Sequence, residues 1–390
     1  MKHTKFVAAL CTLMTAFGCA TTSPSESLVF SEYEAQNRIA LIQRTALVAS
    51  NPPQTQMSIE TQAAATAGRE DLNAALQNEY SLRAHFECTS ANSVPVIEQV
   101  AELARTHSLI IINEHHAKPG HRVFIRSLAE RLSAEGFTHF AAEAFLPTIA
   151  TGEGYPNSNE GYYTTEPMMA RMVEQLRTLG YTLVAYEAQP GQFDPFDEDV
   201  QRQIDQREEA QADNLIDAVL AHNPDTKMIV QVGHGHVVEF PPEGLMPWMA
   251  ARLKAKSGID PLTITLTLCE SDGAKAVMTP GIVKDDGSFK AKPTDYAIGL
   301  PVLEFVRGRP KYRLDLGDQL IEVPQSLRPS ISPVLIEARA VGASLDQQPI
   351  ERLFLMPGEH IPLALPLGAW SLISIDQAGV VTGQVSVTVD

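Results

Sequence analysis

The sequence predicts an α/β fold, with a mostly parallel central sheet flanked by helices, followed by a small C-terminal β-rich, sandwich-like domain. Two patterns and one bulk property predict it. Between residues 96 and 269, short apolar runs alternate with longer amphipathic segments, the signature of strand–helix–strand units. Beyond residue 324 the pattern gives way to short apolar runs separated by Gly/Pro turns. An apolar content of 44% over 390 residues is enough for a real core.

The elements follow in order. Lys2, His3 and Lys5 precede an apolar run, 6–17, that is too short to span a bilayer, so 1–19 reads as a targeting segment. Its end, Ala16-Phe17-Gly18-Cys19, resembles a bacterial lipobox, with alanine where leucine is usual. That resemblance implies lipidation at Cys19, and Ala20 after it implies sorting to the outer membrane, with the body in the periplasm or at the cell surface. Residues 20–58, rich in Ser, Thr, Pro, Gln and Asn, read as a flexible tether. An alanine-rich stretch, 59–86, reads as helical, and Asn92-Ser93-Val94-Pro95 as the start of a helix over 96–106.

Strands are then expected at 108–112, 138–142, 181–186, 227–232 and 261–269. Helices are expected at 119–135, 166–179, 199–222 and 244–256, with Gly136 and Gly180 as stops. The organisation is therefore 1–19 signal, 20–58 tether, 59–323 α/β domain and 324–390 β-rich domain. Two connections, 152–165 and 189–199, are long enough to wall or cover a site.

A net charge of -17 excludes nucleic acid and acidic membrane surfaces as partners, leaving a small molecule and a lipid anchor. Of four cysteines, Cys11 leaves with the signal and Cys19 carries lipid. Cys88 and Cys269 remain, and in an oxidising compartment they are expected to form a disulfide.

The chemistry collects at strand ends. The first strand delivers Glu114, His116 and His121, the second Glu143, the third Glu187, and the fourth His234 and His236. Carboxyl ends of parallel strands share one edge, where α/β proteins bind ligands. A buried carboxylate is costly unless paired or used, so ending three strands beside glutamates points to a site. On the long helix Arg207, Gln211 and Asn214 share one face, which places an arginine against the acidic cleft. His115 alternates with His116 and points elsewhere.

Asn113-Glu114-His115-His116, with His121 following, resembles the Gly-Glu-x-His…His motif of the ChaN-like haem-binding lipoproteins, whose superfamily includes erythromycin esterases and Tiki metalloproteases. Phe140-Ala141-Ala142-Glu143 resembles that family's second strand. The Arg207–Asn214 segment resembles its arginine-containing helix, and Val232-Gly233-His234-Gly235-His236-Val237 its Gly-x-x-His motif. The likeness spans about 96–267. Asn113 stands where the family has glycine, and Gln211 where methionine is common.

Two functions follow as expectations. In a hydrolase of an ester, lactone or amide, Glu114 and His116 supply base and orienting partner, with Glu143 beside them and Arg207 or His236 stabilising the oxyanion. His121, Glu187, His234 and Asn214 complete the pocket as ligand- or cofactor-binding groups. No Gly-x-Ser-x-Gly elbow or His-Glu-x-x-His helix is present. A metal-assisted variant uses His116, His236 and Glu114 as ligands to zinc or manganese. In the alternative, the resemblance implies haem or iron capture without catalysis, across a homodimer. A histidine, or Tyr155, Tyr162 or Tyr163 from the covering segment, would then be the axial ligand.

Overall fold

A computed structural model of the protein describes residues 29–51, 59–73, 88, 93–149, 152–240, 246–271, 273–281 and 293–390. The signal segment and Cys19 lie outside the described residues. Among those described, no helix is long and apolar enough to cross a membrane.

The α/β unit is built on β1 (Leu109–Glu114), β2 (His139–Ala142), β3 (Thr182–Ala185), β4 (Met228–Gly233), β5 (Leu262–Thr265), β6 (Glu270–Ser271), β7 (Val277–Pro280) and β8 (Tyr296–Pro301). Their order is β3-β2-β4-β1-β5-β8-β6. All these neighbours are parallel, and β7 pairs antiparallel with β8. From β1 the chain moves to one side through β2 and β3. From β4 it crosses to the other side and lays down β5. The winding therefore reverses at β1 and β4, and an open α/β sheet leaves a crevice beyond the strand ends at such a point.

Two of the described helices lie N-terminal to this unit, α1 (Glu32–Ser50) and α2 (Ile59–Thr66). Those of the unit are α3 (Val96–Leu103), α4 (Pro119–Ser133), α5 (Pro167–Thr178), α6 (Val200–Leu215) and α7 (Met249–Ser257). Alternation along β1 sorts the two faces. Ile110 and Ile112 pack with α3, α4 and α5, while Leu109 and Ile111 pack with α6 and α7. Proline opens α4 and α5, where its missing N–H costs nothing. Asp199 caps α6 by accepting from the Gln201 and Arg202 amides. Gly258 ends α7 in the left-handed conformation, at φ +72. The helix expected over 199–222 continues past α6 as a π-turn, Ile216–Leu220.

The C-terminal region adds β9 (Phe305–Val306), β10 (Arg309–Pro310), α8 (Lys311–Asp315), β11 (Gln319–Ile321), β12 (Val334–Ala340), β13 (Glu351–Leu355), β14 (Leu363–Leu365), β15 (Gly368–Ile375) and β16 (Val381–Val389). The antiparallel sheet β13-β12-β15-β16 carries the core, and β11 pairs with β14. One face buries Ile336, Leu353 and Leu372 with Leu363 and Leu365 of β14; the other buries Leu335, Phe354 and Ile373.

That second face corrects the tether reading at 32–50, while 20–28 and 52–58 lie outside the described residues. Glu32–Ser50 is a 19-residue helix packed on the sheet through Ile42, which is fully buried. Arg38 leaves this helix to meet Glu337 of β12 at 3.1 Å, and Glu337 also takes Arg339 at 2.6 Å and Arg352 at 2.9 Å. Asp318 receives both Arg171 of α5 and Arg313 of α8 at 2.7 Å, which ties the two units together. Cys88 and Cys269 are disulfide-bonded, with Cα atoms 5.8 Å apart.

Replacing Ile42 with alanine is expected to cost about 2–5 kcal/mol, as for other fully buried large-to-small changes. Denaturant unfolding of the full chain would measure it. An unchanged midpoint would mean that α1 does not pack on the C-terminal sheet.

Candidate active site

Glu114 ends β1 on the face shared with α4 and α5, and it is buried. Arg122 of α4, fully buried, grips it with two bonds, Nε to Oε2 at 2.8 Å and Nη2 to Oε1 at 2.6 Å. Gln231 of β4 donates to Oε2 at 2.6 Å. His116 Nδ1 lies 3.0 Å from Oε1. A carboxylate has about four acceptor positions, and all four are taken. Burial alone would raise this carboxyl, but Arg122 and His116 outweigh it and hold Glu114 well below the usual carboxylate range. Glu114 therefore stays an anion with no lone pair to spare. It can orient a neighbour, and it is a poor base or metal ligand.

The neighbour is His116. Facing an obligate acceptor, its Nδ1 must carry a proton, so in the neutral ring Nε2 holds the lone pair. Its ring stacks on Tyr163 with centroids 4.3 Å apart. Nε2 makes no hydrogen bond among the described residues and lies over Gly233. A Cβ on Gly233 would sit 2.6 Å from His116 Nε2 and 2.9 Å from Glu143 Oε2. Both atoms thus converge on one point above a residue that must be glycine.

Across that point, Glu143 follows β2 on the opposite face. It accepts from the Gly233 amide at 2.5 Å and from Arg207 Nη2 at 2.7 Å. Burial pushes its carboxyl up, but His236, Arg207 and His116 prevail and bring it to about 2. Arg207 also binds Glu187, Nε to Oε1 at 2.9 Å and Nη2 to Oε2 at 2.5 Å. Its remaining terminal nitrogen, Nη1, lies 3.3 Å from His236 Nε2 and faces no carboxylate. His236 lies 3.5 Å from Glu143 through Nε2 and 2.6 Å from Glu208 through Nδ1. Burial lowers its proton affinity, yet the two carboxylates raise it above the ordinary histidine value overall.

The site is held by parts that carry no chemistry. Asn113 lies in regular β1 pairing, so the left-handed backbone that would explain it in place of glycine is absent. Its side chain instead clasps both neighbouring loops. It donates to the His234 carbonyl at 2.7 Å and to Thr267 at 3.0 Å, and accepts from the Leu266 amide at 2.7 Å. That first bond reaches His234 in a strained conformation, φ +35. Asn214 spends its amide on the Tyr186 and Glu187 carbonyls and on Gln192, so it shapes the end of β3. Gln211 donates to Glu187 at 3.0 Å.

Two sequence assignments change, those of His121 and of the metal ligands. His121 does not face Glu143, Arg207 and His236. Its Nδ1 accepts from the His115 amide at 3.2 Å, and its ring lines a separate cavity. His234 touches His115 and His116 by ring edges, and burial with the nearby His116 lowers its proton affinity. His116, His236 and Glu114 do not make a metal site: among the described residues, no three His, Cys, Asp or Glu side chains are placed to hold an ion.

Besides Gln231, four site residues escaped the sequence reading. Arg122 grips Glu114, and Glu166 accepts from Arg122 Nη1 at 2.9 Å while capping α5. Glu208, fully buried, supports His236 and accepts from the Met249 amide at 2.7 Å. Trp248 meets the His236 ring edge-on. Arg122 did leave a signal: it falls on the stripe Arg122, Ile125, Ala129 and Leu132, all fully buried. A charge in an apolar stripe asks for a partner.

No family model matches the chain, and no curated protein matches it. Solved structures do. The RRSP effector domain of a MARTX toxin from Vibrio vulnificus is 19% identical, covering 67% of this chain and 50% of its own, with a TM-score of 0.34. Two structures described as bacterial protein toxins are 14% and 16% identical. They cover 68% and 60% of this chain and 48% and 45% of their own, each with a TM-score of 0.32. The chain spans about half the length of these structures. Likeness at this level carries no functional argument, and the resemblance to the ChaN-like superfamily rests on its motifs alone.

Pairing holds the Glu114 carboxyl below its unfolded value, so it contributes stability above about pH 4.3, lost as pH falls further. Replacing Arg122 with methionine should remove about 3–5 kcal/mol at pH 7 by stranding two buried carboxylates. The variant should also lose less stability than the wild type on acidification, because its Glu114 is no longer depressed. Urea unfolding at pH 7 and pH 4 reads both effects, and equal stability at pH 7 would contradict the assigned pair.

Proposed function

We propose that this chain is a hydrolase of an ester, lactone or amide in which His116 is the general base. The observation that carries this reading is the free Nε2 of His116, oriented through Nδ1 by an anionic Glu114 and aimed over Gly233. A water above Gly233 would give its proton to Nε2 as its oxygen attacks the carbonyl carbon. The developing oxyanion would take a hydrogen bond from Arg207 Nη1, which has no carboxylate partner and lies beside His236. His116 would then return the proton to the departing oxygen or nitrogen. Glu143 and Glu187 keep Arg207 in place, and Tyr163 fixes the plane of the base.

Haem capture finds less support from this cluster. His116 Nε2 lies over Gly233 beside Glu143, and His236 Nε2 faces Arg207 and Glu143, so both sit among charged groups rather than apolar walls. Tyr155 packs in the C-terminal core, and Tyr162 is exposed.

We also propose export and lipid anchoring at Cys19, which the basic-then-apolar start and the Cys88–Cys269 disulfide support.

Screening aryl esters, lactones and anilides should find turnover in the wild-type chain. The His116→Ala variant should lose about 10²–10⁴-fold in kcat, the usual contribution of a positioned base. Its circular dichroism spectrum should be unchanged. Full turnover in a folded His116→Ala protein would remove His116 as the base.

A further inference from the structure

Outside the His116–Arg207 cluster, the structure contains a cavity of about 610 Å³. It lies between α3, the first half of α4, the segments that follow β5 and β8, and α8. It adjoins the site above through Lys118, the start of α4 and Leu266. The volume falls within the range of small-molecule sites. Its walls are mostly apolar, supplied by Ile97, Val123, Phe124, Leu266, Leu300 and Leu303. None of the groups assigned to hydrolysis lines it.

Its polar groups are few and already ordered. Lys118 pairs with Glu270 at 2.8 Å, and Lys311 pairs with Asp315 at 2.6 Å. The two lysines on the wall are thus each neutralised, and the Glu304 carboxylate lies at the exposed rim. Besides His121, Ser127 and Ser271, the wall carries Glu70, which is 5% exposed and accepts from the Tyr312 hydroxyl at 2.6 Å. The Tyr312 ring rests against Gly120, where a Cβ would come within 3.5 Å of it.

We propose that this cavity binds a neutral lipophilic small molecule bearing a hydroxyl or carbonyl oxygen, received at the buried end by the Glu70–Tyr312 pair. Apolar walls exclude a charged or highly polar body, because burying an unpaired charge is costly. The paired lysines give no foothold to an anionic head. Burial pushes the Glu70 carboxyl up to about 8, so at neutral pH it is chiefly the protonated acid. A neutral carboxylic acid has an O–H to donate, which suits a ligand oxygen carrying no charge. This site is independent of the hydrolase reading and stands whether or not the cluster hydrolyses anything.

Calorimetric titration of the full chain with 1-decanol tests it. Saturable one-to-one binding is expected, at least tenfold tighter than binding of decyl sulfate or decyltrimethylammonium, which share the decyl chain. Val123→Trp and Ser127→Trp each project a large ring into the cavity from α4, and each should weaken 1-decanol binding at least tenfold. Tyr312→Phe should narrow the preference for the alcohol. Absence of saturable binding would overturn the proposal, as would equal affinity for the charged decyl compounds. Undiminished binding in either folded tryptophan variant would overturn the location. The head-group comparison uses wild-type protein alone and does not depend on how the variants fold.

Discussion

The arrangement turns on the buried pair between Arg122 and Glu114. An arginine with no exposed surface meets a carboxylate at the end of the strand where the winding reverses. The pair keeps Glu114 charged in a place that would otherwise neutralise it. A charged Glu114 sets the tautomer of His116, and that tautomer decides which nitrogen lies over Gly233. The same guanidinium reaches Glu166, whose carboxylate caps α5. One side chain thus joins β1, α4 and α5. A hydrophobic replacement of the whole pair could leave comparable stability, but no orienting anion.

A second constraint explains why a β-rich region accompanies the α/β unit. Tyr163 reaches His116 from the long connection after β2, which would be loose by itself. Ser158 donates to the Asp346 carbonyl at 3.0 Å, and Gln348 to the Pro156 carbonyl at 2.8 Å. Tyr155 packs into the C-terminal core. The wall of the site is therefore pinned to the β-rich region, which in turn is fixed to α5 through Asp318 and Arg171. No residue of the C-terminal sheet belongs to the cluster, yet it braces the aromatic face that the base leans on.

Much of this was legible in the sequence because it follows local rules. Strands ending in Glu114, Glu143 and Glu187 stand out because a parallel sheet aligns its carboxyl ends. Arg207, Gln211 and Asn214 stand out because helical spacing puts them on one face. What stayed hidden depends on partners distant in the chain. Glu208 reads as one solvated acid among several until α7 and His236 are seen on either side of it. Asn113 reads only as a departure from the family's glycine, whereas its amide bridges two loops more than 100 residues away. Helix α1 was masked by its polar composition, although its buried positions Arg38, Ile42 and Thr45 keep helical spacing. His121 misled because sequence proximity to Glu114 suggested a common cleft, while α4 turns its ring to the other cavity.

The tautomer of His116 is the point on which the chemistry stands. Nitrogen-15 NMR of histidine-labelled protein at neutral pH reads it directly, with His116→Ala identifying the resonance. The account predicts that the neutral tautomer carries its proton on Nδ1, leaving Nε2 unprotonated. It also predicts that Glu114→Gln releases that preference, so that the two tautomers mix. A wild-type ring protonated at Nε2 would leave no lone pair over Gly233 and would contradict the account.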